Sequence, residues 1–269
     1  MRLSVPPRIA EALTAAVGVL GPAQRLDSEV MLSDALQQSR AYVLAHPEEE
    51  LSDAATQRFE DAVARRSTGE PLAYIRGSKE LYGRSFIVTP DTLIPRPETE
   101  ELIDLIKPTL DPKSSVWDIG TGSGCIAITL ALETSATLSG FDISTTALTI
   151  AQKNADQLGA SVTWGEADML PAASETPDVI VANLPYLTPA QIAERSELAF
   201  EPRAALDGGA DGFDLVRRLL DETPPQCIIY LEIDPSHEAP LSALTAWRCT
   251  LFPSLGGEVR FARLTARRA

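Results

Sequence analysis

Val116-Trp117-Asp118-Ile119-Gly120-Thr121-Gly122-Ser123-Gly124 is the stretch whose reading decides the fold. A short apolar run enters a glycine-rich turn, and residues 125–132 then have the composition of a helix. Strand, glycine turn and helix in that order form a ligand-binding unit: glycine lets the backbone turn sharply and lets a ligand approach the helix amides. The spacing separates the ligands. A dinucleotide fingerprint places glycine at the first, third and sixth positions, and the sixth here is Cys125. No Gly-Lys-Ser/Thr follows for a nucleoside triphosphate.

Working outward, Asp142 closes the next apolar run, 22 positions after Gly120. An acid there is placed to accept hydrogen bonds from a ribose diol; the plainer reading is an acidic residue at a helix N-terminus. Asp168, after a third run, is expected to accept from an exocyclic adenine amine, with Met169 packed on the ring. Together Gly120, Thr121, Gly122, Ser123, Gly124, Asp142, Asp168 and Met169 point to S-adenosylmethionine. Cys125 reads as a small packed helix residue rather than a nucleophile.

The surrounding pattern fits. Strand-like runs at 116–119, 138–141, 162–164, 179–182 and 228–233 alternate with helical stretches, the signature of a parallel sheet with crossover helices. The tail 248–264, with Gly256-Gly257 inside it, reads as a closing antiparallel hairpin. Upstream, Ile9, Leu13, Val17 and Leu20 recur at helical spacing, and 28–44 and 52–66 read as two further helices. Residues 72–75 and 85–89 are β-prone around Gly77 and Gly83, suggesting a hairpin connector. The expected division is a helical domain at 1–68, a β-hairpin connector at 69–90 and a catalytic domain at 91–269.

Composition narrows the class. The chain has 269 residues, 23 basic against 38 acidic, and a net charge of −15. Phosphate binding normally shows as a basic face, so direct nucleic-acid binding is not expected. Nor is a membrane: no apolar run reaches the ~18 residues of a span, and 12–20 reads as part of the first helix rather than a signal peptide. Three scattered cysteines and two histidines offer neither a disulfide framework nor a metal site. The expected location is the cytoplasm.

The fourth strand runs into Asn183-Leu184-Pro185-Tyr186. Ligands of open α/β sheets bind beyond the carboxyl ends of the strands, so this peptide stands where chemistry is expected. With the upstream glycine loop it resembles class I S-adenosylmethionine-dependent methyltransferases that modify a planar amine or amide nitrogen. Their tetrapeptide is typically Asn, Asp or Ser, then Pro, Ile or Leu, then Pro, then an aromatic residue. Gly69-Glu70-Pro71-Leu72-Ala73-Tyr74-Ile75-Arg76-Gly77, Leu93-Ile94-Pro95-Arg96-Pro97-Glu98-Thr99-Glu100 and Glu201-Pro202-Arg203-Ala204-Ala205-Leu206-Asp207-Gly208-Gly209 with Asp211-Gly212 are similar to signature segments of the HemK/PrmC family.

The resemblance implies a Rossmann-like, mainly parallel sheet with a C-terminal antiparallel hairpin, preceded by a small all-α domain that engages a protein substrate. It also implies methylation of the glutamine side-chain nitrogen in the Gly-Gly-Gln loop of class I peptide release factors. The Asn183 side-chain oxygen and the Pro185 carbonyl would accept the amide N–H bonds, and Tyr186 would pack on the flat amide. Asn183 would also touch the cofactor, and Leu184 would complete the substrate-binding peptide. Two positions depart from the family: Leu184 stands where proline is usual, and Asp234-Pro235-Ser236-His237 replaces a glycine and a following glutamine. Two other readings compete: an adenine-N6 methyltransferase on DNA or RNA, and a non-catalytic cofactor-binding adaptor.

Overall fold

Every carboxyl end of the parallel strands faces the same edge of the sheet, and that edge carries the site. The computed structural model describes residues 6–172 and 176–267, and its chain divides into two units, the first ending at Gly77 and the second beginning at Ser78.

The first unit is helical: α1 Ile9–Leu20, α2 Arg25–Leu36, α3 Arg40–Ala45, α4 Asp53–Ser67 and α5 Leu72–Arg76. Ile9, Ala12, Met31, Leu32, Val43, Leu51 and Phe59 form its core. Two local expectations are corrected here. Residues 28–44 do not make one helix. Gln37 takes a left-handed conformation that ends α2, and Ser39 caps α3 by accepting from the Tyr42 amide at 3.1 Å; a local cap of this kind competes with helix continuation. Residues 72–75 are helix, not strand. Pro71 stands at the N-cap and Gly77 closes the turn at φ 71°. Leu72 and Ile75, three apart, both pack on the helical core. Their β-propensity yields to that spacing because propensity is weak against tertiary packing.

The second unit opens with the hairpin β1 Ser78–Leu81 and β2 Arg84–Ile87. Tyr82 and Gly83 both have positive φ, the requirement of a two-residue type I′ turn. The hairpin lies within the 69–90 stretch, and its second strand overlaps the expected run at 85–89, while its first strand is at 78–81 rather than 72–75. Leu81 and Phe86 share the core of the second unit with Leu102, Ile103 and Ile106, so it belongs to that unit rather than linking two others.

There follow α6 Glu98–Ile106, β3 Ser115–Ile119, α7 Cys125–Glu133, β4 Thr137–Asp142, α8 Thr145–Leu158, β5 Thr163–Glu166, β6 Val179–Ala182, α9 Pro189–Glu194, α10 Asp214–Glu222, β7 Ile228–Glu232, α11 Glu238–Ser242, β8 Trp247–Pro253 and β9 Val259–Ala266. The sheet order is β5-β4-β3-β6-β7-β9-β8. The first five are parallel, and β9 and β8 pair antiparallel at one side. This is the class I methyltransferase fold with the expected closing hairpin.

All four residues of β6 are buried, as a parallel strand covered on both faces must be. Trp117, Ile180, Ile229 and Leu231 pack with Val216 and Leu219 of α10 on one face. Val116, Leu138, Val179 and Tyr230 pack with α6 and α7 on the other. Strand order reverses between β3 and β6, so the carboxyl ends of those two strands bound a crevice.

Candidate active site

A cavity of about 350 Å³ lies at that crevice, bounded by the glycine loop, the end of β4, the segment after β5 and the tetrapeptide after β6. The loop is held from beneath. Asp118 is fully buried and accepts from Thr121 Oγ1 at 2.6 Å and the Ala127 amide at 3.2 Å. Burial pushes its carboxyl up to about 7, since a low-dielectric surrounding disfavours the charged form. Gly122 has φ +55° with open space around it, a conformation that favours glycine. Its amide donates to Asp142 Oδ2 at 2.8 Å, while the Ser144 amide donates to Asp142 Oδ1 at 2.9 Å. Asp142 thus ties two loops together, and each of its oxygens retains acceptor capacity on the cavity wall.

Gly120, Thr121, Gly122, Ser123, Asp142, Asp168, Met169, Asn183, Leu184 and Pro185 all line the cavity. Gly124 and Tyr186 do not. Gly124 sits at the N-cap of α7 against the Trp164 ring. Met169 is buried with φ +80°. Asp168 is 62% exposed and accepts from Arg218 Nη1 at 2.8 Å, so its carboxylate is shared with an α10 cation that the sequence reading did not foresee.

The tetrapeptide is braced from several elements. Asn183 Nδ2 donates to Glu232 Oε2 at 2.9 Å, and Thr99 Oγ1 donates to the same oxygen at 3.1 Å. Burial raises Glu232 to about 7, and the hydrogen bonds from Thr99 and Asn183 and the charge of Arg260 oppose that rise. Leu184 is buried in the apolar core beside the sheet. Tyr186 turns away from the cavity: its hydroxyl accepts from Arg260 Nη2 at 3.1 Å, and the guanidinium carbon lies 5.6 Å from its ring centroid. Burial holds the Tyr186 hydroxyl above the usual phenol range.

The late signature segment lies directly against this peptide. The Leu187 amide donates to Leu206 O at 3.0 Å, and the Gly208 amide donates to Leu187 O at 2.8 Å. A Cβ on Gly208 would stand 2.6 Å from the Pro185 carbonyl oxygen and 2.7 Å from Tyr186 Cα. Only glycine permits this approach. Glu201 links the two proline-rich signatures, accepting from the Ile94 amide at 3.0 Å and forming an ion pair with Arg96. The Asp234–His237 departure is a capped turn in which Asp234 accepts from the Ser236 amide at 2.9 Å, with His237 buried against Phe213.

Sequence reading missed Thr99, Glu201, Arg218 and Glu232 as parts of the site. Thr99 and Glu201 lie inside segments already recognised as signatures, which was the available signal. The partners of all four are 49 to 133 residues away, and nothing local marks them. Cys125 lines the cavity, but burial pushes its thiol up to about 12, so it is a neutral packed group at pH 7. No cluster of three or more metal-ligating side chains occurs among the described residues.

Two family descriptions match the chain: PrmC N-terminal domain over residues 10–77 and Methyltransferase domain over 116–199. It is 42% identical over 234 residues to the release factor glutamine methyltransferase of Koribacter versatilis, covering 81% of this chain and 83% of the relative. With the protein of the same name from Bacillus subtilis it shares 39% identity over 230 residues, or 80% of each. The fold is shared with two human structures. These are the hMettl16 catalytic domain solved with an RNA hairpin (TM-score 0.55, 18% identity, 78% and 83% of the two chains) and methyltransferase 10 domain containing protein (TM-score 0.52, 17% identity, 78% and 98%).

Proposed function

Because the chain belongs to the HemK/PrmC family of release factor glutamine methyltransferases, we propose that it methylates the side-chain nitrogen (N5) of the glutamine in the Gly-Gly-Gln loop of class I peptide release factors. The observation that carries this reading is one cavity bounded by both the glycine loop and Asn183-Leu184-Pro185.

The residues present fit S-adenosylmethionine. Gly122 leaves open space where a side chain would stand, Asp142 offers acceptors to a ribose, and Met169 offers an apolar wall to an adenine. Asp168 retains acceptor capacity beside Arg218 for an exocyclic amine. When bound, S-adenosylmethionine supplies an electrophilic methyl group.

The chain's own task is positioning. An amide nitrogen is a poor nucleophile because its lone pair is delocalised into the carbonyl. Asn183 Oδ1 and the Pro185 carbonyl accept the two N–H bonds and fix the nitrogen's direction, an arrangement that favours the transition state over the planar ground state. Tyr186, braced by Arg260, supports the peptide from behind rather than facing the cavity. The extra proton leaves after transfer, so no strong base is required. The helical unit that carries α1 to α5 serves as the surface that recognises the release factor. A reducing cytoplasm, where translation terminates, suits three free cysteines.

Mass spectrometry tests this reading directly. Incubation of a release factor with enzyme and S-adenosylmethionine is expected to add one methyl to the Gly-Gly-Gln glutamine, with no labelled methyl passing to DNA or RNA. Transfer to adenine instead would establish the nucleic-acid reading, against which the −15 charge stands. Binding without turnover would establish an adaptor.

A further inference from the structure

β6 and β7 run parallel with Ala182 opposite Leu231. The next residues along the two strands are Asn183 and Glu232, so the register that builds the sheet also brings these side chains together. Glu232 is buried and lies outside the cavity wall, whereas Asn183 and Thr99 line it. Glu232 Oε2 accepts from Asn183 Nδ2 and Thr99 Oγ1. Its other oxygen, Oε1, has no hydrogen-bond partner among the described residues, and the Arg260 guanidinium stands 3.9 Å from it.

A primary amide has two unlike ends, one a donor only and one an acceptor only. Turning it over changes its shape very little and its chemistry completely. An oxygen that takes two donors removes that ambiguity, because it binds the nitrogen end and leaves the amide oxygen free; with Oε2 occupied by Asn183 and Thr99, any proton that Glu232 holds sits on Oε1. We infer that Glu232 is a positioning residue that orients the Asn183 carboxamide with Oδ1, not Nδ2, toward the cavity. The inference rests on the methyl-transfer reading above, in which that oxygen accepts an N–H of the substrate amide. A reversed Asn183 would set a donor against a donor and repel the glutamine it should hold. Thr99 adds the second donor that fixes which carboxylate oxygen is used, and Arg260 holds the charge from the other side.

The test reverses the orientation without changing the volume. In Glu232→Gln the carboxamide oxygen faces Arg260 and its NH₂ faces Asn183, so Asn183 turns over. The expected result is a fall in kcat of about 10²-fold or more, with S-adenosylmethionine affinity by calorimetry kept within about threefold. Adding Asn183→Asp restores an acceptor, since Asp accepts from the glutamine NH₂ with one oxygen and presents the other to the substrate. This double variant should recover at least about tenfold in kcat over Glu232→Gln alone, a coupling that a merely structural role does not produce.

A second readout needs no turnover. In enzyme labelled with ¹⁵N-asparagine, the Asn183 side-chain NH₂, assigned by its loss in Asn183→Asp, should exchange slowly with water and shift in Glu232→Gln. Rapid exchange in the wild type would overturn the proposal even if Glu232→Gln failed to fold. So would turnover of a folded Glu232→Gln within about threefold of wild type, or a double variant no better than the single. Asn183→Ala in the same series separates the two levels. If it too turns over normally, the amide-acceptor mechanism falls; if it alone is crippled, only the role of Glu232 falls.

Discussion

In the proposed reaction Asn183 is the residue on which the chemistry depends, and its environment explains why a neutral amide suffices. Asn183→Ala removes an acceptor that matters most as the amide nitrogen loses electron density to the methyl. We expect kcat to fall by about 10²–10³ at saturating cofactor, measured as methyl transfer to release factor by the folded variant. Leu184→Pro should change the same rate little, because Leu184 is buried in the core while its neighbours Asn183 and Pro185 carry the contacts. Asp142 makes a different contribution. Its bonds to the Gly122 and Ser144 amides shape the glycine loop proposed to bind the cofactor. Asp142→Ala is expected to weaken S-adenosylmethionine by roughly 1–3 kcal/mol, the scale of hydrogen bonds to a charged group. Calorimetry showing unchanged affinity would remove this residue from the site.

At the scale of elements, two contacts between segments are open to test. Gly208 lets the segment after Leu206 lie flat on the tetrapeptide. Gly208→Ala forces a Cβ to within 2.6 Å of the Pro185 carbonyl, so it should lower stability by about 1–3 kcal/mol and lower kcat more than it weakens cofactor binding. Denaturant titration and single-turnover rates read the two effects separately. Asp118, at the end of β3, couples the loop to pH. Burial raises its carboxyl from 3.8 to about 7, so between those values the folded protein keeps a proton that the unfolded chain has lost. Stability therefore falls as pH rises through this window and levels off above it. Glu232 acts in the same direction from 4.5 to about 7. In Asp118→Asn the slope of stability against pH should flatten by on the order of 1–3 kcal/mol across the window, as read by urea unfolding at pH 5, 6, 7 and 8. An unchanged slope would show that Asp118 does not hold the proton.

For the whole molecule, the division between Gly77 and Ser78 sets where a separation should be made. A chain beginning at residue 69 would retain α5, whose Leu72 and Ile75 pack on the helical core, and would strand that helix without partners. Residues 78–269 are expected to keep S-adenosylmethionine affinity while the KM for intact release factor rises by about tenfold or more, the scale of losing a recognition surface. A short Gly-Gly-Gln peptide should be affected much less. Equal losses on both substrates would mean that the helical unit supports the catalytic unit rather than recognising the partner. No helix among the described residues is long and apolar enough to cross a membrane.

Much of this protein was legible before any coordinates. Alternating strands and helices force a parallel sheet, and a parallel sheet puts the ends of its strands on one edge. The order of Gly120–Ser123, Asp142 and Asn183–Pro185 therefore determined that they share a crevice. Local conformation was read less well where the signals were short, as at 72–75, where packing at helical spacing outweighed β-propensity. The partners of the recognised residues were beyond reach for a different reason. Asn183 meets Glu232 because β6 pairs with β7 in one register, and Thr99 meets the same carboxylate from 133 residues away. Tyr186 faces Arg260 rather than the cavity because β9 passes beside β7. A motif is a property of neighbours along the chain, whereas the orientation of a side chain depends on groups that only strand register and packing bring to it.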